Sequence, residues 1–141
     1  MKIDYPKILV FLQFSFIFLL VILSFNSFTL LRVGLFLIGA VIGLIALQYN
    51  RRHNFYIRPI LKEGAKLVTT GIYRYVRHPM YLSVAIMMGA FVKDRVTFLI
   101  WLALIGVLYL KAKNEERLWC NSSRAYIEYK NRTKSIIPFI L

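Results

Sequence analysis

Leu67-Val68-Thr69-Thr70-Gly71-Ile72-Tyr73-Arg74-Tyr75-Val76-Arg77-His78-Pro79-Met80-Tyr81 lies near the middle of the chain. It holds two arginines, one of the two histidines and three tyrosines. Long apolar segments stand on either side of it. Proline suits the first turn of a helix, where its missing N–H costs nothing. The order Arg77-His78-Pro79 therefore predicts a helix opening at Pro79, with His78 at the cap and Arg77 just outside. The stretch reads as the polar mouth of a site at the end of a membrane helix.

Working outward, Ile8 to Phe25 is eighteen residues without a charge and with one amide, Gln13. Val33 to Asn50 is another eighteen without a charge. Both meet the length of a transmembrane helix. A cleaved signal peptide is disfavoured for the first, because its apolar core is long and no small-x-small cleavage pattern follows. Within the second, Gly39 and Gly43 form a small-x-x-x-small pattern that admits a close helix neighbour. That neighbour is either another part of the chain or a second copy. On the far side, Pro79–Val92 and Val96–Leu110 are shorter apolar limbs joined by the charged turn Lys93-Asp94-Arg95. They predict a helical hairpin, with Ala85 and Gly89 packing against Ala103 and Gly106. Lys111 to Tyr129 has helical character, so the last span is expected to run on past the membrane. Ile136 to Leu141 is an apolar tail too short to span.

The expectation is an all-α integral membrane protein with about four transmembrane helices. It is one domain over 1–141: two N-terminal spans (1–50), a loop (51–78), a hairpin (79–110) and a helical tail (111–141). Composition agrees. The chain is 59% hydrophobic, yet its formal net charge is +13. Apolar spans with cations gathered at their ends produce that combination. A nucleic-acid partner is disfavoured, since few non-apolar stretches remain to build such a fold. With four crossings, sixteen cations fall on the side of the termini and central loop and three on the other. The positive-inside rule then places the loop and tail in the cytoplasm. One cysteine, Cys120, excludes an intrachain disulfide, and two histidines give no metal-site spacing.

Three clusters could carry chemistry. Arg77, His78, Tyr73 and Tyr81 would flank a helix N-terminus, a place that favours anionic groups. An interfacial belt of snorkelling cations is the alternative, and it accounts better for Arg51, Arg52, Lys62 and Lys66. Glu115 and Glu116 are two of only six acids. Either they pair along their own helix, as Lys111 with Glu115 at i,i+4, or one faces the site of Arg77 and His78. Tyr126 and Tyr129 read as docking residues for the terminal segment. No phosphate-cradling loop or serine nucleophile motif is present.

Leu67–Tyr73 followed by Arg77-His78-Pro79-Met80-Tyr81 resembles the core signature of the isoprenylcysteine carboxyl methyltransferases. Glu115-Glu116, then Tyr126-x-x-Tyr129 and Ile137-Pro138, resembles that family's C-terminal signature. The resemblance covers Phe55 to the end. It implies methyl transfer from S-adenosylmethionine to a lipophilic small molecule or lipidated substrate at the cytosolic face of a prokaryotic membrane. It also implies roles. Leu67, Val68, Thr70, Gly71, Tyr73, His78, Pro79 and Tyr81 would line the cofactor pocket. Glu115 or Glu116 would bind the cofactor's ribose or amino group. Arg77 would orient a substrate carboxylate or be held by the glutamate. Catalytic roles thus fall to Arg77, Glu115 and Glu116. The sequence departs from the family at Ser83, where glycine is common, and at Ser122-Ser123, which replace Phe-Gly. Phospholipid N-methyltransferases share cofactor and architecture but typically lack Arg-His before the proline. Membrane sterol reductases, which use NADPH, carry a similar Arg-His-Pro-x-Tyr but usually have asparagine at the place of Met80. A basic membrane protein without catalysis is the remaining class.

Overall fold

A computed structural model describes residues 4–26, 29–50 and 66–136. Its elements are α1 (Tyr5–Ser24), α2 (Leu30–Asn50), a 3-10 turn (Gly71–Arg74), α3 (Pro79–Gly89), α4 (Arg95–Ser122) and α5 (Arg124–Arg132). The described residues form no strand; one isolated parallel bridge joins Val76 to Lys134. The protein is all-helical, and α1, α2 and α4 are each long and apolar enough to cross a membrane. Most of the large apolar side chains of α1 and α2, such as Phe11, Phe18, Leu37 and Val41, are exposed. A lipid solvent makes that pattern stable, because the exposed stripe loses nothing against acyl chains. Much of the expected central loop (51–65) and the last five residues (137–141) lie outside the described residues.

α1 starts at its Asp4 cap, whose side chain accepts from the amide of Lys7. Thr29 plays the same part for α2, accepting from the amide of Arg32. α3 begins where expected, with His78 at the cap and Pro79 first in the helix. It ends earlier than the apolar run, after eleven residues, or about 16 Å. Ala90 to Asp94 continues as non-helical chain. Backbone polar groups freed there must find partners near lipid. Ser24 donates to the Phe91 carbonyl at 2.5 Å and the Arg32 guanidinium to the Val92 carbonyl at 3.2 Å. The Lys93 and Asp94 amides both donate to Thr97 Oγ1, and Asp94 with Thr97 completes a capping box for α4. α4 then runs twenty-eight residues, about 42 Å, well past its apolar part.

The hairpin limbs do not zip together as expected. α3 packs chiefly on α2, and α4 chiefly on α1. The glycines explain the first pairing. A Cβ on Gly39 would stand 2.6 Å from Met87 Cγ and 2.8 Å from the Met87 amide nitrogen. The close neighbour admitted by Gly39 and Gly43 is therefore α3 of the same chain. Ser83 replaces the expected glycine usefully: its hydroxyl donates to the Gly39 carbonyl at 2.7 Å and lies over Gly43. Gly106, by contrast, faces open space and packs nothing. The limbs touch instead through Trp101, whose indole N–H donates to the Ala85 carbonyl at 2.9 Å. Leu20, Met88, Ala90, Phe91, Leu104 and Leu108 form the core between all these helices.

Candidate active site

The site is built where α3 begins and α4 leaves its apolar stretch. Gly71 adopts φ +60, a conformation an L side chain rarely takes, and a Cβ there would also overlap the Tyr49 ring of α2. That glycine lets the chain turn tightly over the end of α2. Tyr73, on the following turn, is buried, and its carbonyl accepts from the Tyr129 hydroxyl at 2.5 Å. Burial raises the Tyr73 phenol well above its ordinary value, and the neighbouring Tyr129 and Glu115 push the same way.

Arg77 and Glu116 form the closed half of the site. Arg77 Nε and Nη2 donate to Glu116 Oε1 at 3.1 and 3.0 Å. Arg77 Nη1 donates to the carbonyls of Lys130, at 3.0 Å, and Thr133. Ser135 Oγ donates to the same carboxylate at 2.7 Å, and Lys130 Nζ stands 3.4 Å from its second oxygen. That second oxygen is within ion-pair reach of Lys130 but lacks hydrogen-bond geometry with it. The backbone joins in: the amides of Arg77 and His78 donate to the carbonyls of Lys134 and Ser135 at 2.8 and 2.9 Å. The segment after α5 is thus stitched along the Arg77–His78 backbone. The Arg77 guanidinium is held by the Glu116 carboxylate and by the carbonyls of Lys130 and Thr133.

Glu115 heads the open half. It accepts from the Tyr81 hydroxyl, and its other oxygen lies 3.4 Å from His78 Nδ1. His78 and Tyr81 stack with ring centroids 5.5 Å apart. Glu115 keeps 21% of its side chain exposed, against 1% for Glu116. His78 touches both halves, with Nε2 3.4 Å from Glu116 Oε1. Burial by itself would lower the imidazole's pKa; the two carboxylates, each 3.4 Å from a ring nitrogen, outweigh it, and the net direction is upward.

The structure therefore brings together Arg77, His78, Tyr81, Glu115 and Glu116, with Tyr73 beside them and Pro79 buried at the helix start. Leu67 and Val68 are half-buried and Thr70 is exposed in the extended run before Gly71; their link to the cluster is through that turn. Residues not foreseen are Lys130, Thr133 and Ser135, all of which contribute backbone carbonyls that leave no mark in a sequence. Gln13 and Lys111 were also missed. Lys111 is buried, hydrogen-bonds Gln13 Oε1, and stands 5.2 Å from the Tyr81 ring centroid. The signal was present: a single amide in an otherwise apolar span is a polar residue that needs a partner. Tyr126 and Tyr129, read from the sequence as docking residues for the terminal segment, are both buried, while residues 137–141 of that segment lie outside the described residues. Tyr126 stacks on Trp119 at 5.6 Å and meets Tyr129 edge-on at 5.8 Å. Burial pushes the Tyr129 phenol up to about 12, against the lowering effects of Arg77 and Thr133.

Fold and site together define a helical membrane protein with a buried acid–base cluster at one end of its spans. The model of the phospholipid methyltransferase family matches residues 27–122, and the chain belongs to that family. This family is related to the isoprenylcysteine carboxyl methyltransferases whose signatures the sequence resembles. The match includes α2, α3, α4 and every side chain of the Arg77–His78–Tyr81–Glu115–Glu116 cluster. A search of curated proteins found no match.

Proposed function

We propose that this protein transfers a methyl group from S-adenosylmethionine to a lipophilic acceptor at the cytosolic membrane face. The supporting observation is the unequal burial of two adjacent carboxylates. Glu116 is consumed by Arg77, Lys130 and Ser135, whereas Glu115 retains exposure beside an aromatic face. The donor set fits the cofactor. Its ammonium and ribose hydroxyls need an anionic acceptor, which the partly exposed Glu115 supplies.

S-adenosylmethionine supplies a methyl group made electrophilic by its sulfonium. The protein's part is alignment and charge control rather than proton transfer. Glu115 would accept hydrogen bonds from the cofactor, its carboxylate directed by the Tyr81 hydroxyl and by His78 beside it. Arg77 and Glu116 lock the His78 backbone in place. Sixteen cations on the side of the loop and tail support a cytosolic mouth.

The signatures around Arg77 and Glu115 favour a carboxylate acceptor of the isoprenylcysteine kind. Family membership favours the amine of a phospholipid headgroup as the second reading. Reconstituted protein, labelled cofactor and native lipid extract separate them. A methyl ester releases its label as methanol under mild base, and an N-methyl group does not. Calorimetry with S-adenosylhomocysteine should show binding. Binding of NADPH alone would overturn the methyl-transfer reading.

A further inference from the structure

The Gln13–Lys111 pair lies outside the acid cluster and buries an ammonium in the seam between α1 and α4. Gln13 stands in α1, before the part of the chain matched by the family. It is the eighth residue after Tyr5, about 12 Å into the helix. Both side chains are buried. A hydrophobic pair of similar volume would be at least as stable in such a place, so stability alone gives no reason for a buried cation. Its surroundings give one. The Lys111 ammonium faces the Tyr81 ring at 5.2 Å, within the range of cation–π attraction. The hydroxyl of that ring donates to Glu115, and its face stacks on His78.

We propose that Gln13 and Lys111 are positioning residues that set the Tyr81 ring, and through it the Glu115 carboxylate, for binding the methyl donor. The proposal rests on the reading of Glu115 given above. Gln13 holds the ammonium from α1, the ammonium holds the ring from α4, and the ring carries the constraint to α3. The N-terminal span thereby acts on a site whose cluster residues all lie beyond it.

The test uses the full chain in lipid nanodiscs. Two readouts are needed: affinity for S-adenosylhomocysteine, and the fluorine resonance of a fluorotyrosine placed at Tyr81 without any ligand. Lys111→Met and Gln13→Leu should each shift that resonance and weaken S-adenosylhomocysteine binding about tenfold, the scale of coupling within one network. Lys111→Arg should recover most of the affinity. In a Tyr81→Phe background, where the hydroxyl no longer reaches Glu115, Lys111→Met should cost less than about twofold. A thermal melt identifies any variant that has simply lost its fold, and Lys111→Arg keeps the question answerable in that event. An unchanged resonance in both Lys111→Met and Gln13→Leu would overturn the proposal. Fully multiplicative losses in the double variant would do so as well. Should the resonance shift while the wild-type protein binds no S-adenosylhomocysteine, the link from Gln13 to Tyr81 stands and the donor reading falls.

Discussion

Glu115 and Glu116 are neighbours in one helix, yet they belong to different regions. A step of one residue turns the side chain by about 100° around the helix axis. That rotation sends Glu116 toward the segment after α5 and Glu115 toward α3. The Glu116 side is a closed knot of charge and backbone: Arg77, Lys130, Ser135 and the carbonyls of Lys130 and Thr133. The Glu115 side is aromatic and partly open, bounded by Tyr81, His78 and the ammonium of Lys111. Identical chemistry in consecutive positions thus divides into a buried carboxylate that holds the fold and a partly exposed one, the carboxylate proposed above to meet the methyl donor. Burial and partner count separate the two where residue type does not.

The largest expected effect comes from breaking the closed side. Glu116→Ala leaves the Arg77 guanidinium buried without its anion, a loss on the order of 3–5 kcal/mol for pairs of this kind. Thermal unfolding in detergent should fall steeply, with proteolysis opening first between α4 and the C-terminal segment. Glu115→Ala should lower the melt much less than Glu116→Ala, since it takes the acceptor from the Tyr81 hydroxyl but leaves no buried cation without its anion. It should weaken S-adenosylhomocysteine binding by about 10- to 100-fold, the worth of one or two charge-assisted hydrogen bonds. The opposite pattern, with Glu116→Ala stable and Glu115→Ala unfolded, would break the division between them.

A smaller change sharpens it. The Tyr129 hydroxyl ties α5 to the Tyr73 carbonyl. Tyr129→Phe leaves that carbonyl short of a donor and should cost about 1–3 kcal/mol. The loss belongs to the closed side, so melting should drop while S-adenosylhomocysteine affinity stays within about twofold of wild type. A large affinity loss at an unchanged melting temperature would show that the two sides are one unit.

Much of this was legible in the residues themselves. The apolar runs gave α1, α2 and α4, Pro79 marked the start of α3, and Gly39 with Gly43 announced a close neighbour. The return of Glu115-Glu116 to His78 was readable from the order of the two signatures. The division between the glutamates was not. It depends on the rotation of α4 against α3, and Lys111, four residues earlier, offered Glu115 an equally good partner along the helix. Nor was the pairing of α3 with α2 legible, since Ala85, Gly89, Ala103 and Gly106 suggested an equally close hairpin. The short α3 has its cause in Ser24, Arg32 and Thr97, which satisfy the non-helical chain after it from three different places in the sequence.

His78 reaches both carboxylates, so its proton tests both regions at once. Its folded pKa lies above the unfolded value of about 6.5, because Glu115 and Glu116 more than offset the cost of burial. A raised pKa means the folded state binds the proton more tightly than the unfolded chain. The resulting stability is fully present below pH about 6.5 and disappears as pH rises through the folded pKa. Melting temperature should therefore decline from mildly acid to alkaline pH, by less than any of the substitutions above produce. His78→Asn should flatten that decline. Glu115→Gln and Glu116→Gln should each reduce it, since each removes one of the two charges facing the ring. If only Glu116→Gln reduces it, the proton belongs to the closed side and Glu115 is left free for a ligand. If only Glu115→Gln does, protonation of His78 and occupation of the open side compete for the same carboxylate, and donor affinity will rise with pH.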